Sequence, residues 1–218
     1  MTGRVLPMFP LGSVLLPSMV LPLHVFEPRY RAMMDVVMAL PDRSFGVVLI
    51  ERGHEVGGQD QRSHVGTEAR VLETEQSPDG RWGVLSVGVG RIRVEQWLQD
   101  DPYPQASITD WPDDSSAGES DVHTYEKLLA AHRRLLGLHA ELGHNVGPIQ
   151  DLSEDPVLGS FQIAATAPLS TLDRQQVLAA PALAERLPIL ERFLQSALDL
   201  AELELQQVMR DPMGDDGD

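Results

Sequence analysis

Apolar positions along the chain change rhythm about halfway, from short runs and alternation to helical spacing. Residues 13–26, SVLLPSMVLPLHVF, read as a strand whose prolines suit edges and bulges. Residues 29–40, RYRAMMDVVMAL, place Tyr30, Met33, Met34, Val37 and Leu40 at helical intervals, and Pro41 with Asp42 ends that helix. FGVVLIE (45–51) is an apolar run short enough for a strand covered on both faces. HEVGGQDQRSH (54–64) is a polar loop, and VGTEARVLETE (65–75) alternates with Val65, Thr67, Ala69 and Val71 on one face. SPDG (77–80) has turn chemistry. Residues 82–98 return as strand, with a break expected near Gly88 and Gly90 and Ile92 and Val94 opposed to Arg91 and Arg93. QASITDW (105–111) makes a last strand. One helix among about six strands leaves no room for repeated crossovers, so a small closed or partly closed β barrel is expected.

PDDSSAGESD (112–121) is acidic and lacks apolar anchors, and beyond it the pattern is helical. Helices are predicted over 122–142, around 155–166, over 170–180 behind a Ser or Thr cap, and over 182–209. In the last, Leu183, Leu187, Leu190, Leu194, Leu198, Ala201, Leu205 and Val208 form one stripe. Ile189, Phe193, Ala197 and Leu200 form a second, which predicts cover on two sides. Pro188 is expected to kink this helix or mark its beginning. The fold class is thus α+β, with a barrel subdomain (1–112) holding one inserted helix. A linker (113–121), a helical subdomain (122–210) and an acidic, disordered tail (211–218) follow.

The stretch PLHVFEPRYRAMM (22–34) changes from strand to helix across a polar cluster. Pro28 suits the first helical turn, where its missing donor is not needed. Glu27 is expected to cap that turn and pair with Arg29 or Arg31, with Tyr30 packed under the strand. Glu27, Pro28, Arg29 and Tyr30 are therefore read as a structural joint.

Composition narrows the chemistry. The 33 acidic and 17 basic residues give a formal charge of −16, which repels phosphate backbones. The absence of cysteine excludes disulfides, thiolate metal sites and a cysteine nucleophile, and it fits a reducing cytoplasm. The uncharged stretch from Val5 to Phe26 is interrupted by Pro7, Pro10, Pro17 and Pro22, which argues against a signal peptide or membrane anchor. No nucleic-acid or membrane partner is expected, and the oligomeric state is open.

Catalytic motifs are missing. Lys127 is the only lysine, and it lies in no phosphate-binding loop. In VGVGRI, Arg93 stands where a dinucleotide site needs its third glycine, so Gly88 and Gly90 read as a strand bend or bulge. His139 and His144 lie five apart, about 140° round a helix, and share a metal only if the helix ends between them, as Gly143 allows. His132 and His139 are read as surface histidines. No serine elbow is present for a triad. No catalytic, metal or cofactor residues are assigned. The first helix offers Met33, Met34 and Met38 as an adaptable peptide-binding surface, although methionines at such spacing are more often core.

Two stretches carry a family resemblance: LPMFPLGSVLLPSMVLPLHVFEPRYRAMM, and VGTEARVLETEQSPDGRWGVLSVGVGRIRV. They resemble the N-terminal domain of Lon proteases in its stand-alone bacterial form, and DRQQVLAAPALAERLPILERFL looks similar to that family's leucine-rich helices and stands where they do. The resemblance covers about residues 5–208. It implies a barrel like that of the pseudouridine-synthase-associated (PUA-like) domains, a helical subdomain, substrate recognition, and no ATPase or protease domain. The expected function is a non-catalytic module binding unfolded, apolar segments or a partner protein. Its surface is expected in the groove between barrel and helices, with Met33, Met34, Met38, His54 and His64 contributing. A small hydrolase with an unrecognised site, or an RNA-binding barrel, is the alternative.

Overall fold

The computed structural model describes residues 3–52, 61–113, 117–146 and 151–210. Strand β1 (Arg4–Leu11) and strand β2 (Val20–Val25) precede helix α1 (Pro28–Ala39). Strands β3 (Ser44–Arg52), β4 (Gln61–Gln76), β5 (Trp82–Trp97) and β6 (Gln105–Asp110) complete one sheet. Helices α2 (Glu119–Glu141), α3 (Pro156–Thr166), α4 (Thr171–Ala179) and α5 (Leu183–Arg210) follow.

The sheet order is β2-β5-β4-β3-β1-β6, and a further β5–β6 pairing closes five strands into a ring. Closure works because two strands change partner along their length. β1 pairs with β6 over Arg4–Pro7 and with β3, in parallel, over Met8–Leu11. β5 pairs with β2 over Trp82–Val87 and with β6 over Ile92–Trp97. β2 therefore hangs outside the ring, along the first half of β5.

One local expectation needs correction and two are narrowed. The run expected as one strand over 13–26 is a strand only over Val20–Val25, and a separate strand, β1, precedes it. Val14, Leu15 and Leu16 are buried without strand pairing, because Val14 and Leu16 pack into the helical cluster and Leu15 into the barrel. Gly88 and Gly90 do not interrupt β5, which runs for 16 residues, but they flank a register shift against β4, where Gly90 pairs with Glu68 and Gly88 with Ala69. Gly88 also admits the backbone of that connection: a Cβ there would meet the Leu16 carbonyl oxygen at 2.5 Å. Pro188 does not begin the last helix but lies inside α5.

Local chemistry explains the helix ends. Asp155 caps α3, accepting from the Val157 N–H at 3.1 Å, with Pro156 at the first position. Ser170 and Asp173 form a capping box on α4. Past the end of α2, Gly143 takes φ +76°, a conformation glycine enters without penalty.

The core is shared between lobes. Beneath α1, Phe9, Tyr30, Met33, Met34, Val37 and Phe45 pack inside the barrel. Each such fully buried side chain contributes about 2 kcal/mol of transfer free energy. The helical cluster includes Leu135, Phe161, Leu187, Leu190 and Leu194, together with Val14, Leu16 and Leu49 from the barrel half.

Candidate functional site: a slot between two strand edges

Among the described residues, strand pairing leaves an opening between β1 and β2. The Gly88 N–H donates to the Met19 carbonyl at 2.9 Å, so Met19 and every second residue after it face β5. Val20, Pro22 and His24 then turn their backbone groups outward. Pro22 has no N–H, and this outward position is where a strand tolerates it. On β1 the Met8 N–H donates to the Pro104 carbonyl at 2.8 Å, on the side where β6 lies. Pro10, two residues on, faces the same side beyond the end of the β6 pairing. Two proline-bearing edges thus border a slot.

The slot has a volume of about 230 Å³ and is lined by Phe9, Pro10 and Leu11 from β1 and by the chain from Pro22 to Glu27 with Tyr30. Its floor is rigid: Phe9 and Tyr30 stack with centroids 4.2 Å apart, and the Arg29 guanidinium lies 4.5 Å from the Tyr30 centroid. Phe26 is 54% exposed at the mouth, with the His24 ring 6.2 Å away. Glu27 accepts from Arg29 Nε at 3.1 Å and makes no capping hydrogen bond, contrary to the role expected for it. The outer sheet face beside the slot is apolar with an acidic border. Val20, Leu72 and Val89 are exposed there, and ladder register carries Pro22 through Leu85 to Glu73, and His24 through Gly83 to Glu75.

The other expected site residues do not converge here. Met33 and Met34 are wholly buried in the barrel core and present no surface, which corrects their reading as peptide-binding residues. Met38 packs partly buried against the same core. His64 is exposed on β4, with Nδ1 3.1 Å from the Val94 carbonyl. His54 lies outside the described residues.

Among the described residues, the seam between barrel and helices is closely packed around Arg91. Arg91, expected on a polar strand face, is 3% exposed and donates to the Leu178 and Ala180 carbonyls at 3.1 and 2.5 Å. Its guanidinium lies 3.0 Å from Asp113, which also accepts from Arg186 at 2.7 and 3.2 Å. Arg186 donates to Ser160 Oγ and stacks on Phe161 at 3.9 Å. Burial lowers the Arg91 pKa to about 10 against the opposing pull of Asp113, so Arg91 stays charged at neutral pH. Asp113, placed by sequence in an unanchored linker, is instead the pivot of this cluster. Gln175 adds hydrogen bonds from α4 to Ser63 Oγ and the Val65 carbonyl.

A second hollow, about 250 Å³, lies among α2, α4 and α5 and includes His139, Asp173, Ser196 and Glu204. Because α2 ends at Glu141, the His139 and His144 rings lie side by side, Nδ1 to Nδ1 at 3.1 Å, with His144 Nε2 3.3 Å from Glu204. Ser196 Oγ donates to the Arg192 carbonyl, so it is not held as a nucleophile. Among the described residues no group of three or more His, Asp or Glu converges as a metal site. His132, expected on the surface, is buried, with Nε2 2.9 Å from Thr166 Oγ1. Several exposed or part-exposed arginines are paired with carboxylates: Arg4 with Glu68 and Asp110, Arg62 with Asp100, Arg134 with Glu202. No helix of the described residues is long and apolar enough to cross a membrane.

The described residues thus form an α+β fold, a mixed six-stranded sheet with an apolar edge slot followed by a lobe of four helices. The chain belongs to the ATP-dependent protease La (LON) substrate-binding domain family, whose model matches residues 5–196. It is 31% identical to the Lon protease of Brevibacillus choshinensis over 92% of this chain and 26% of that protein. It is 30% identical to Lon protease 2 of Herpetosiphon aurantiacus over 91% of this chain and 24% of that protein. The chain thus spans about a quarter of the length of these relatives, and no protease or ATPase domain is found within it. The crystal structure of a Lon N-terminal domain protein from Xanthomonas campestris superposes with TM-score 0.65 at 26% identity, covering 87% of this chain and 98% of that one. The N-terminal domain of a Mycobacterium avium complex Lon protease shares the fold, with TM-score 0.60 at 18% identity over 88% and 98%.

Proposed function

We propose that this protein is a non-catalytic module that captures apolar segments of other polypeptides, with the β1–β2 slot as the point of capture. The slot carries the reading. It is a preformed apolar cleft with a stacked aromatic floor and an exposed phenylalanine at its mouth, the setting in which a ligand gains burial without reorganising its host. The family's description as a substrate-binding domain supports the same reading. The joint formed by Glu27, Pro28, Arg29 and Tyr30 holds α1 against β1 and shapes one end of the cleft. Barrel (1–112) and helical lobe (122–210) act together as one body in the cytoplasm.

Affinity for single segments is expected in the micromolar range or weaker, because ordering a flexible peptide consumes several kcal/mol of the gross interaction. Fluorescence anisotropy with labelled apolar peptides tests the proposal: saturable binding, lost in Leu23→Ser or Phe26→Ser, is expected. An absence of binding across a varied peptide panel would direct attention to one dedicated folded partner. The protein is expected neither to hydrolyse ATP nor to cleave unfolded casein.

A further inference from the structure

The slot is bordered by backbone as well as by side chains. Among the described residues, β2 pairs only with β5, which leaves its outer edge unpaired. That edge has a fixed pattern. The Val20 and His24 N–H groups point outward as donors, Pro22 between them has none, and the carbonyls of all three face the same way. An unpaired edge of this kind is a template for another strand, and proline is a common means of blunting it. Here the blunting is partial, because the two flanking donors remain.

We propose that the captured segment enters by strand addition. An extended stretch of the partner polypeptide pairs its main chain with the outer edge of β2 across Val20–His24. Alternate apolar side chains fill the slot over Phe9 and Tyr30, while those between lie along the sheet rim. The inference rests on the polypeptide-capturing reading above and specifies its geometry. Charge selects among such segments. Glu27 lines the slot, Glu73 and Glu75 are exposed on β4, two strands in from that edge, and the whole chain carries −16. The preferred guest is therefore an apolar run flanked by Lys or Arg, not by Asp or Glu.

Strand pairing has a signature that side-chain capture lacks. A guest N–H can reach the outward carbonyls only from every second guest residue. Blocking those positions should weaken binding, and blocking the intervening ones should not.

The test uses the full chain and one lysine-flanked apolar peptide, N-methylated on the backbone at each position in turn. Methylation at alternate positions is expected to weaken binding about tenfold, the scale of one lost hydrogen bond, with little effect between. Amide hydrogen exchange at Val20 and His24 should slow when the peptide is added. His24→Pro removes an outward donor, leaves the inward ladder of Leu23 and Val25 in place, and should weaken the peptide by a similar factor. If that variant fails to fold, the methylation scan and the exchange measurement still decide. Binding that is indifferent to methylation, with Val20 and His24 exchange unchanged, overturns strand addition while the capture of polypeptides stands. Failure of the unmethylated peptide and of its glutamate-flanked counterpart to bind removes the capturing reading itself. Equal binding of the two overturns the charge preference.

Discussion

Asp113 accepts two hydrogen bonds from Arg186, and both side chains are almost fully withdrawn from solvent, at 6% and 0% exposure. The same carboxylate is the partner of Arg91 on β5. One anion therefore serves two buried cations at the seam between barrel and helices, and its removal leaves both uncompensated. Asp113→Asn is expected to cost about 3–5 kcal/mol, the scale for breaking a buried pair by deleting one partner. The midpoint of urea unfolding measures it, and a loss below about 1 kcal/mol would show that the cluster is far better hydrated than its burial indicates.

His132 gives stability a defined pH dependence. Burial, and secondarily Arg133, lowers its pKa to about 4 from an ordinary value near 6.5. The unfolded chain therefore binds a proton in the window where the folded chain does not. The contribution is complete above about pH 6.5 and is lost as pH falls towards 4, by up to about 3 kcal/mol. Unfolding free energy measured from pH 7 to pH 4 should fall less steeply in His132→Gln than in the natural protein. Identical slopes would mean that His132 is protonated inside the fold.

Phe26 and Met34 separate binding from folding. Phe26 is largely exposed, so Phe26→Ser is expected to change stability by about 0.5 kcal/mol or less while weakening peptide capture. Met34 is wholly buried, and Met34→Ala should cost about 2–5 kcal/mol while leaving the affinity of the remaining folded protein unchanged. Urea denaturation and anisotropy on both variants check the pair. The opposite assignment of effects would move the site from the slot to α1.

Glu27→Ala is expected to cost about 1 kcal/mol. Its pairing with Arg29 is one-fifth exposed on each side, and no capping hydrogen bond is lost with it. Tyr30→Ala, which removes the stack on Phe9, should cost about 3–5 kcal/mol. Thermal or urea unfolding ranks the two, and a larger effect at Glu27 would make the ion pair, not the aromatic stack, the main element of the joint.

The sequence was most readable where the period was regular. The positions of α1, of β3 and of all four later helices follow from apolar spacing, since each buries one face against a neighbour. What it concealed depended on contacts between distant residues. Arg91 alternates with Ile92 as a solvent-facing arginine would, and only the arrival of Asp113 and of the Leu178 and Ala180 carbonyls offsets the burial of its charge. Met33 and Met34 carried the correct spacing for either surface or core, and the closing of the barrel over α1 decided for core. The slot is built from PLHVF and FPL, which were visible as motifs. Their role as facing edges depends on β1 and β5 changing partners halfway along, which no local pattern encodes.

The presence of Val14, Leu16 and Leu49 in the helical core bears on how this unit can be moved between proteins. A gene cut between the lobes, after residue 112, would deliver two fragments with torn apolar faces: a barrel exposing those three side chains and helices lacking their floor. Each half would be a candidate for aggregation, not a portable part. Recombination, whether in evolution or at the bench, should therefore tolerate crossovers outside the matched region and reject them within it. Chimeras that exchange only the barrel with a relative should recover solubility when Val14, Leu16 and Leu49 travel with the helices they touch.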